Sequence, residues 1–312
     1  MLNSAWNPRV FASLGLAACA LFALPSSAHA IGVPPLDHVV VVVMENKNYE
    51  IVRALPYATS LQAQGALFTR SFAVAHPSQP NYFGLFAGWD LNITTNNCPP
   101  AGAPYSIENL GHAFEAAGKT WRAYSENLPS AGATGCSYDG SATSGLYTRK
   151  HAPWTYFTNL NHANERPYSD LAVDIAANAL PNLSFVVPNN CHNGHNSSTP
   201  GCTAADADTW MSNALPPIIN ALGPNGLLIL TWDEDDGATG NRVLTIFVGP
   251  PVQPGAVSNV TVSHYTMVRT ICEAFGIPSF NQAVYENPIA DVWLEPTPVQ
   301  ATSWGSLKAT YR

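Results

Sequence analysis

His38-Val39-Val40-Val41-Val42-Val43-Met44 carries five consecutive valines and no polar residue after the histidine. A strand with one face in water alternates apolar and polar positions, whereas a strand covered on both faces reads as a continuous apolar run. Valine is stiff at χ1 and suits an extended, pleated chain better than a helix. The run therefore predicts a central strand with a layer of structure on each side of its sheet.

Working outward, residues 55–64 read as a helix stopped by Gly65, and 67–74 as a second strand. Residues 107–117 read as a helix ended by Gly118, and 120–124 as a short strand. Strands are expected at 183–187, 226–232 and 243–248, and helices at 169–178, 206–222 and 267–275, with Pro216-Pro217 kinking or splitting the second of these helices. Strands alternating with helices predict an α/β fold, here a three-layer α/β/α sandwich around a mostly parallel central sheet. No internal repeat or linker interrupts residues 31–312, so they are expected to form a single domain. Residues 125–150 form a long polar loop, of the kind that often carries function in a compact domain.

Residues 1–30 contain one charge, Arg9, then an apolar run over 10–25 and Ser26-Ser27-Ala28-His29-Ala30. That is the layout of a signal peptide cleaved after Ala30, and it predicts a secreted or periplasmic protein. Leu16-Ala17-Ala18-Cys19 offers a rival, a lipid anchor at Cys19, but the apolar run continues past the cysteine. No later segment reads as an integral membrane span. With 13 basic against 21 acidic residues and a net charge of −8, electrostatic binding of nucleic acid or anionic membrane is disfavoured. An anionic substrate would need local help, most simply a metal cation. In an exported chain the simplest cysteine pairing is 98 with 136 and 191 with 202, leaving Cys272 free in an apolar helix.

The turn His76-Pro77-Ser78-Gln79-Pro80-Asn81-Tyr82 sets a serine between prolines at a helix entrance. Proline fixes φ and restrains its predecessor, and backbone N–H groups at such an entrance favour an anion. Ser78 is either an ordinary helix cap or a nucleophile. What surrounds the strand ends favours the second reading, because ligands of open α/β sheets bind at the carboxyl ends of strands. There the chain places Glu45-Asn46, then His76 and Ser78, then Asn189 to His195, then Asp233-Glu234-Asp235-Asp236. Glu45, Asn46, Asp233 and Glu234 are an oxygen donor set suited to one divalent cation, Mg, Ca or Mn, with Zn as a borderline choice. Such an ion beside Ser78 would lower the pKa of its hydroxyl and neutralise a phosphate oxygen. His192 and His195 are candidates to bind phosphate oxygens or protonate a leaving group. His76 is expected to orient the serine turn, and Lys150-His151 to supply positive charge. His112 and His162 read as ordinary positions.

Six segments together resemble the bacterial phosphoesterase family of secreted acid phosphatases and phospholipases C, within the alkaline-phosphatase-like superfamily. They are HVVVVVMEN (38–46), AHPSQPNYFGLFAG (75–88), RKHAPW (149–154), TWDEDDG (231–237), TIFVGP (245–250) and residues 265–278. The resemblance implies a phosphoseryl intermediate on Ser78 and one divalent metal on Glu45, Asn46, Asp233 and Glu234, with Asp235 or Asp236 as alternatives to Glu234. It implies that Asn81 touches the phosphoryl oxygen. Relatives carry Asn-His where this chain has Asn241-Arg242, so Arg242 is expected to clamp phosphate instead. Tyr82 stands where sulfatases need Arg, which argues against sulfate esters.

The expected activity is a metal-dependent acid phosphatase acting on phosphomonoesters, phosphoinositide head groups such as phosphatidylinositol 3-phosphate included. A phospholipase C using the same site is the alternative; it would require an exposed apolar rim, for which Trp154, Tyr156 and Phe157 are the candidates. A non-catalytic phosphate-binding surface protein is the reading from another class.

Overall fold

The computed structural model describes residues 32–139, 145–195 and 202–294. The expected signal peptide and Cys19 lie outside them. The eight strands of the main sheet are His38–Met44 (β1), Ala66–Phe68 (β2), Trp121–Ser125 (β3), Glu165–Pro167 (β4), Leu183–Val187 (β5), Gly226–Trp232 (β6), Thr245–Val248 (β7) and Ala256–Ser258 (β8). Their spatial order is β8-β2-β7-β6-β1-β5-β3-β4. β7 runs antiparallel to both of its neighbours, and every other pairing is parallel.

The valine run lies at the centre, between β5 and β6. Val39, Val41 and Val43 face one hydrophobic core, while Val40, Val42 and Met44 face another. The period-two division of one apolar strand between two cores is what a doubly covered sheet requires.

Helices cover both sides: Pro56–Gln64 (α1), Ser78–Ala87 (α2), Leu110–Ala116 (α3), Ser169–Ala176 (α4), Ala204–Ala221 (α5) and His264–Phe275 (α6). Pro216 and Pro217 sit inside α5, which continues through them. Thr203 and Asp206 form a capping box at its start. The strand expected over 67–74 is broken. Ala66–Phe68 joins the main sheet, and Ser71–Phe72 pairs instead with Val262–Ser263 in a two-stranded ribbon. Within the expected loop 125–150, Ser137–Tyr138 pairs with Tyr147–Thr148. Cys98 is bonded to Cys136 and Cys191 to Cys202, and Cys272 is free and buried, as the sequence suggested.

Candidate active site

Sheet register assembles the site. Met44 pairs with Trp232 at the last position of the β1–β6 ladder, and the Asp233 N–H donates to the Met44 carbonyl at 2.9 Å. Glu45 and Asp233 therefore leave adjacent strands side by side, although the chain separates them widely. Asn46 takes a left-handed conformation, φ 47°, which asparagine tolerates better than most residues. Its backbone N–H donates to Asp233 Oδ1 at 3.1 Å and its side-chain amide to Glu45 Oε2 at 3.1 Å. His264, the first residue of α6, donates from Nε2 to the Asp233 carbonyl at 2.7 Å.

Ser78 is the first residue of α2, and Pro77 is its N-cap. The serine hydroxyl is thus not spent on capping. It donates to Glu234 Oε1 at 2.8 Å and lies 3.2 Å from Glu45 Oε2. Asn96 Oδ1 caps the helix instead, accepting the Gln79 N–H at 3.0 Å. Ser78 is 1% exposed, so its hydroxyl faces carboxylates rather than solvent. His76, whose ring is 46% exposed, carries the cluster out to water. His76 Nδ1 pairs closely with Glu234, and its Nε2 lies 3.3 Å from Asp235. The histidine thus orients Glu234, the carboxylate that holds the serine proton.

Burial would raise the Glu45 carboxyl, but His151, Lys150 and His195 hold it well below its ordinary value. Burial pushes Asp233 well above its ordinary value, and the charges on Glu45 and Glu234 push it further. Burial also raises Glu234, against the hydrogen bond from Ser78. Buried carboxylates close together raise one another in this way. Among the described residues no group of three or more His, Cys, Asp or Glu side chains forms a ready-made metal site. The donor set nonetheless fits a hard cation: it is all oxygen and amide, and buried Asp233 Oδ2 has no hydrogen-bond partner among the described residues.

His151 Nε2 stands 2.9 Å from Glu45 Oε1. Its Nδ1 contacts the Thr148 hydroxyl at 3.2 Å, and its ring stacks on Tyr82 with centroids 4.9 Å apart. Burial pushes His151 down to about 4, with the Glu45 charge opposing. Lys150 Nζ meets His195 Nε2 at 3.1 Å, and the His195 and His151 rings lie 6.0 Å apart. Glu45, Ser78, His76, Asp233, Glu234, Lys150, His151 and His195 thus form one connected cluster.

Contacts bear on four expected roles. Asn81 accepts the N–H groups of Val74 and Ala75 at 3.0 Å each and donates to the Ala75 and Pro77 carbonyls at 2.8 and 3.3 Å. Its amide is consumed in building the serine turn, so it does not reach for a phosphoryl oxygen. Arg242 lies over the Tyr49 ring at 3.6 Å, donates to the Thr69 carbonyl and reaches Glu50 at 3.2 Å; it is a packing residue on the near surface, not a clamp. His192 pairs through Nδ1 with Glu126 at 2.8 Å and stacks on Trp210, partners outside the cluster around Ser78. Asp235 accepts the N–H groups of Gly237, Thr239 and Asn241, so its carboxylate shapes the acidic loop rather than replacing Glu234.

Lys47 and His264 join this neighbourhood with no motif to mark them, and Tyr82, which the sequence marks only as standing where sulfatases need Arg, joins it by stacking on His151. Tyr82 had a usable signal, since it lies four residues past Ser78 and shares its helix face. The His264 contact depends on tertiary packing and left none.

The fold is that of the alkaline phosphatase superfamily. A protein of that superfamily from Vibrio parahaemolyticus superposes with a TM-score of 0.57 at 12% identity, covering 80% of this chain and 68% of its own. The lipoteichoic acid synthase LtaP from Listeria monocytogenes gives 0.57 at 8% identity, covering 86% and 79%. Within that fold, the chain belongs to the phosphoesterase family, whose model matches residues 51–278. It is 38% identical over 268 residues to a phosphatidylinositol-3-phosphatase of Mycobacterium tuberculosis, covering 85% of each chain. It is 26% identical to a phosphate-repressible acid phosphatase of Penicillium chrysogenum, over 79% of this chain and 60% of that one.

Proposed function

We propose that this phosphoric monoester hydrolase works by transferring a phosphoryl group to Ser78 Oγ and then to water. The observation that carries the reading is the Ser78 hydroxyl, first in its helix and bonded to Glu234 at 2.8 Å. Glu234, oriented by His76, accepts the hydroxyl proton as Oγ bonds to phosphorus and the ester oxygen departs. Lys150 and His195 lie across the cluster, where they stabilise phosphoryl oxygens and return a proton to the leaving alkoxide. Attack of water on the phosphoserine then frees phosphate and restores the hydroxyl. A divalent cation on Glu45, Asn46, Asp233 and Glu234 would supply charge neutralisation at the phosphoryl group.

The mycobacterial and fungal relatives support phosphomonoester substrates, with a phosphorylated inositol head group as one candidate. Trp154, Tyr156 and Phe157 are buried in the core, so the apolar rim asked of a phospholipase C is not supplied by them. The two disulfides suit an oxidising compartment, and among the described residues no helix is long and apolar enough to cross a membrane. Action after export is therefore part of the proposal.

The test is turnover of p-nitrophenyl phosphate between about pH 4 and pH 9, with and without chelator. Activity that Ser78→Ala abolishes supports the reading. Full activity of that variant overturns it, and phosphate binding without turnover under any added metal favours the non-catalytic alternative.

A further inference from the structure

We infer that Lys47 is an anion-binding residue of this site, one that suits it to phosphomonoesters carrying a second anionic group. The inference rests on the hydrolase reading above and names the substrate class more narrowly.

Lys47 follows Glu45 and Asn46 directly at the tip of β1, and it is only partly exposed. Its Nζ donates to the Asn46 carbonyl at 2.9 Å. An ammonium has three protons to donate, so this bond fixes the head group without exhausting it. The stem runs past Gly194: a Cβ there would come within 3.3 Å of Lys47 Cε and 3.7 Å of Cγ. Gly194 also has φ 91°, a conformation that side-chain-bearing residues rarely adopt. The glycine leaves a lane for the lysine.

The next residue, His195, meets Lys150 Nζ at 3.1 Å. One short loop thus touches a lysine stem at Gly194 and a lysine head group at His195. That loop is tied to β1 by the Glu45 N–H, which donates to the Asn193 carbonyl at 3.0 Å. Lys150 already belongs to the cluster around Glu45 and Ser78. Lys47 adds a second ammonium at the same strand tip, and a single phosphoryl group has no evident use for both. A second phosphate, or a phosphodiester on the same alcohol, does.

The plainer reading is that Lys47 merely offsets the charges of Glu45, Asp233 and Asp236, which all act on it. The two readings differ in what they do to substrates. A charge neutraliser affects every phosphomonoester alike, whereas an anion reader affects the doubly charged one selectively.

The experiment compares fructose 1,6-bisphosphate with fructose 6-phosphate in wild-type enzyme, Lys47→Met and Lys47→Arg. The expected result is that Lys47→Met raises the KM for the bisphosphate by about tenfold more than for the monophosphate, the scale of one charge-assisted hydrogen bond. Lys47→Arg should recover most of it. Equal changes in both KM values, a loss confined to kcat, or no change would overturn the inference. Calorimetric binding of phosphate and pyrophosphate to the same proteins keeps the two proposals separable. If no ester is turned over, the hydrolase reading fails alone. A selective loss of pyrophosphate affinity in Lys47→Met still supports the inference, and an equal or absent loss still overturns it.

Discussion

The Ser78 hydroxyl donates to a carboxylate oxygen of Glu234 at 2.8 Å, across 156 positions of sequence. The acceptor of that hydroxyl's hydrogen bond therefore comes from the tip of β6, and His76 holds the other oxygen of the same carboxylate. Glu234→Gln keeps the shape but cannot accept the proton as a base. Its kcat on p-nitrophenyl phosphate should fall by about 10²–10⁴-fold, with the thermal midpoint little changed. A kcat near wild type would remove Glu234 from the mechanism.

Asn81 should behave as a structural residue whose loss is felt at the serine. Asn81→Ala leaves the N–H groups of Val74 and Ala75 without their acceptor. A cost of about 1–3 kcal/mol is expected in urea unfolding, together with a lower kcat because the turn is loosened. Reduced activity at full stability would instead return the amide to the phosphoryl group.

The Tyr82–His151 stack, 4.9 Å between centroids, separates ring from hydroxyl. Tyr82→Phe keeps the stack, while Tyr82→Leu removes it and costs about 0.5–1.5 kcal/mol of packing. The leucine variant should lose about tenfold in kcat/KM through a disoriented His151, and the phenylalanine variant much less. Equal losses in the two would mean that the hydroxyl, not the ring, matters.

Arg242→Ala tests the corrected role of that residue. Loss of the cation–π contact with Tyr49 should cost about 1 kcal/mol in chemical denaturation, while KM for p-nitrophenyl phosphate stays at the wild-type value. A raised KM would reinstate it as a phosphate ligand.

Glu165 supplies a pH signature away from the site. Burial pushes its carboxyl from 4.5 up to about 7, against the hydrogen bond it accepts from Tyr147. Between those values the unfolded chain has released the proton and the folded one keeps it, so stability falls as pH rises through this window and levels off above it. The drop is roughly 3 kcal/mol at full effect. Urea unfolding at pH 5 and pH 8 should show it, and Glu165→Gln should flatten it.

Much of this molecule is legible from residue order alone, and the reasons are local. Five valines in a row state that both faces of β1 are covered, and the prolines around Ser78 mark a constrained helix entrance. The oxygen donors after β1 and β6 are visible because each follows an apolar strand at once. Register is not visible, and register is what sets Glu45 beside Asp233. Nor does the chain reveal that β7 runs backwards, or that residues 67–74 divide between two sheets. The family resemblance puts Asn81 and Arg242 at the phosphate and residue type puts His192 there, yet what decides their roles is which neighbour reaches them first: a backbone turn, a tyrosine ring and Glu126. Lys47, a lysine after Glu-Asn, reads as surface from the sequence, and only the fold sets Gly194 beside it.

The covalent bridges join rim-forming loops and leave the sheet untouched. Cys98–Cys136 fastens the loop whose Asn96 caps α2, and Cys191–Cys202 fastens the loop that carries His195. A newly synthesised, fully reduced chain is therefore expected to build its valine-centred scaffold while those loops remain untethered. Catalytic competence would then arrive later than folding, at the moment the thiols are oxidised, and the cell making the enzyme would be shielded from it until that step.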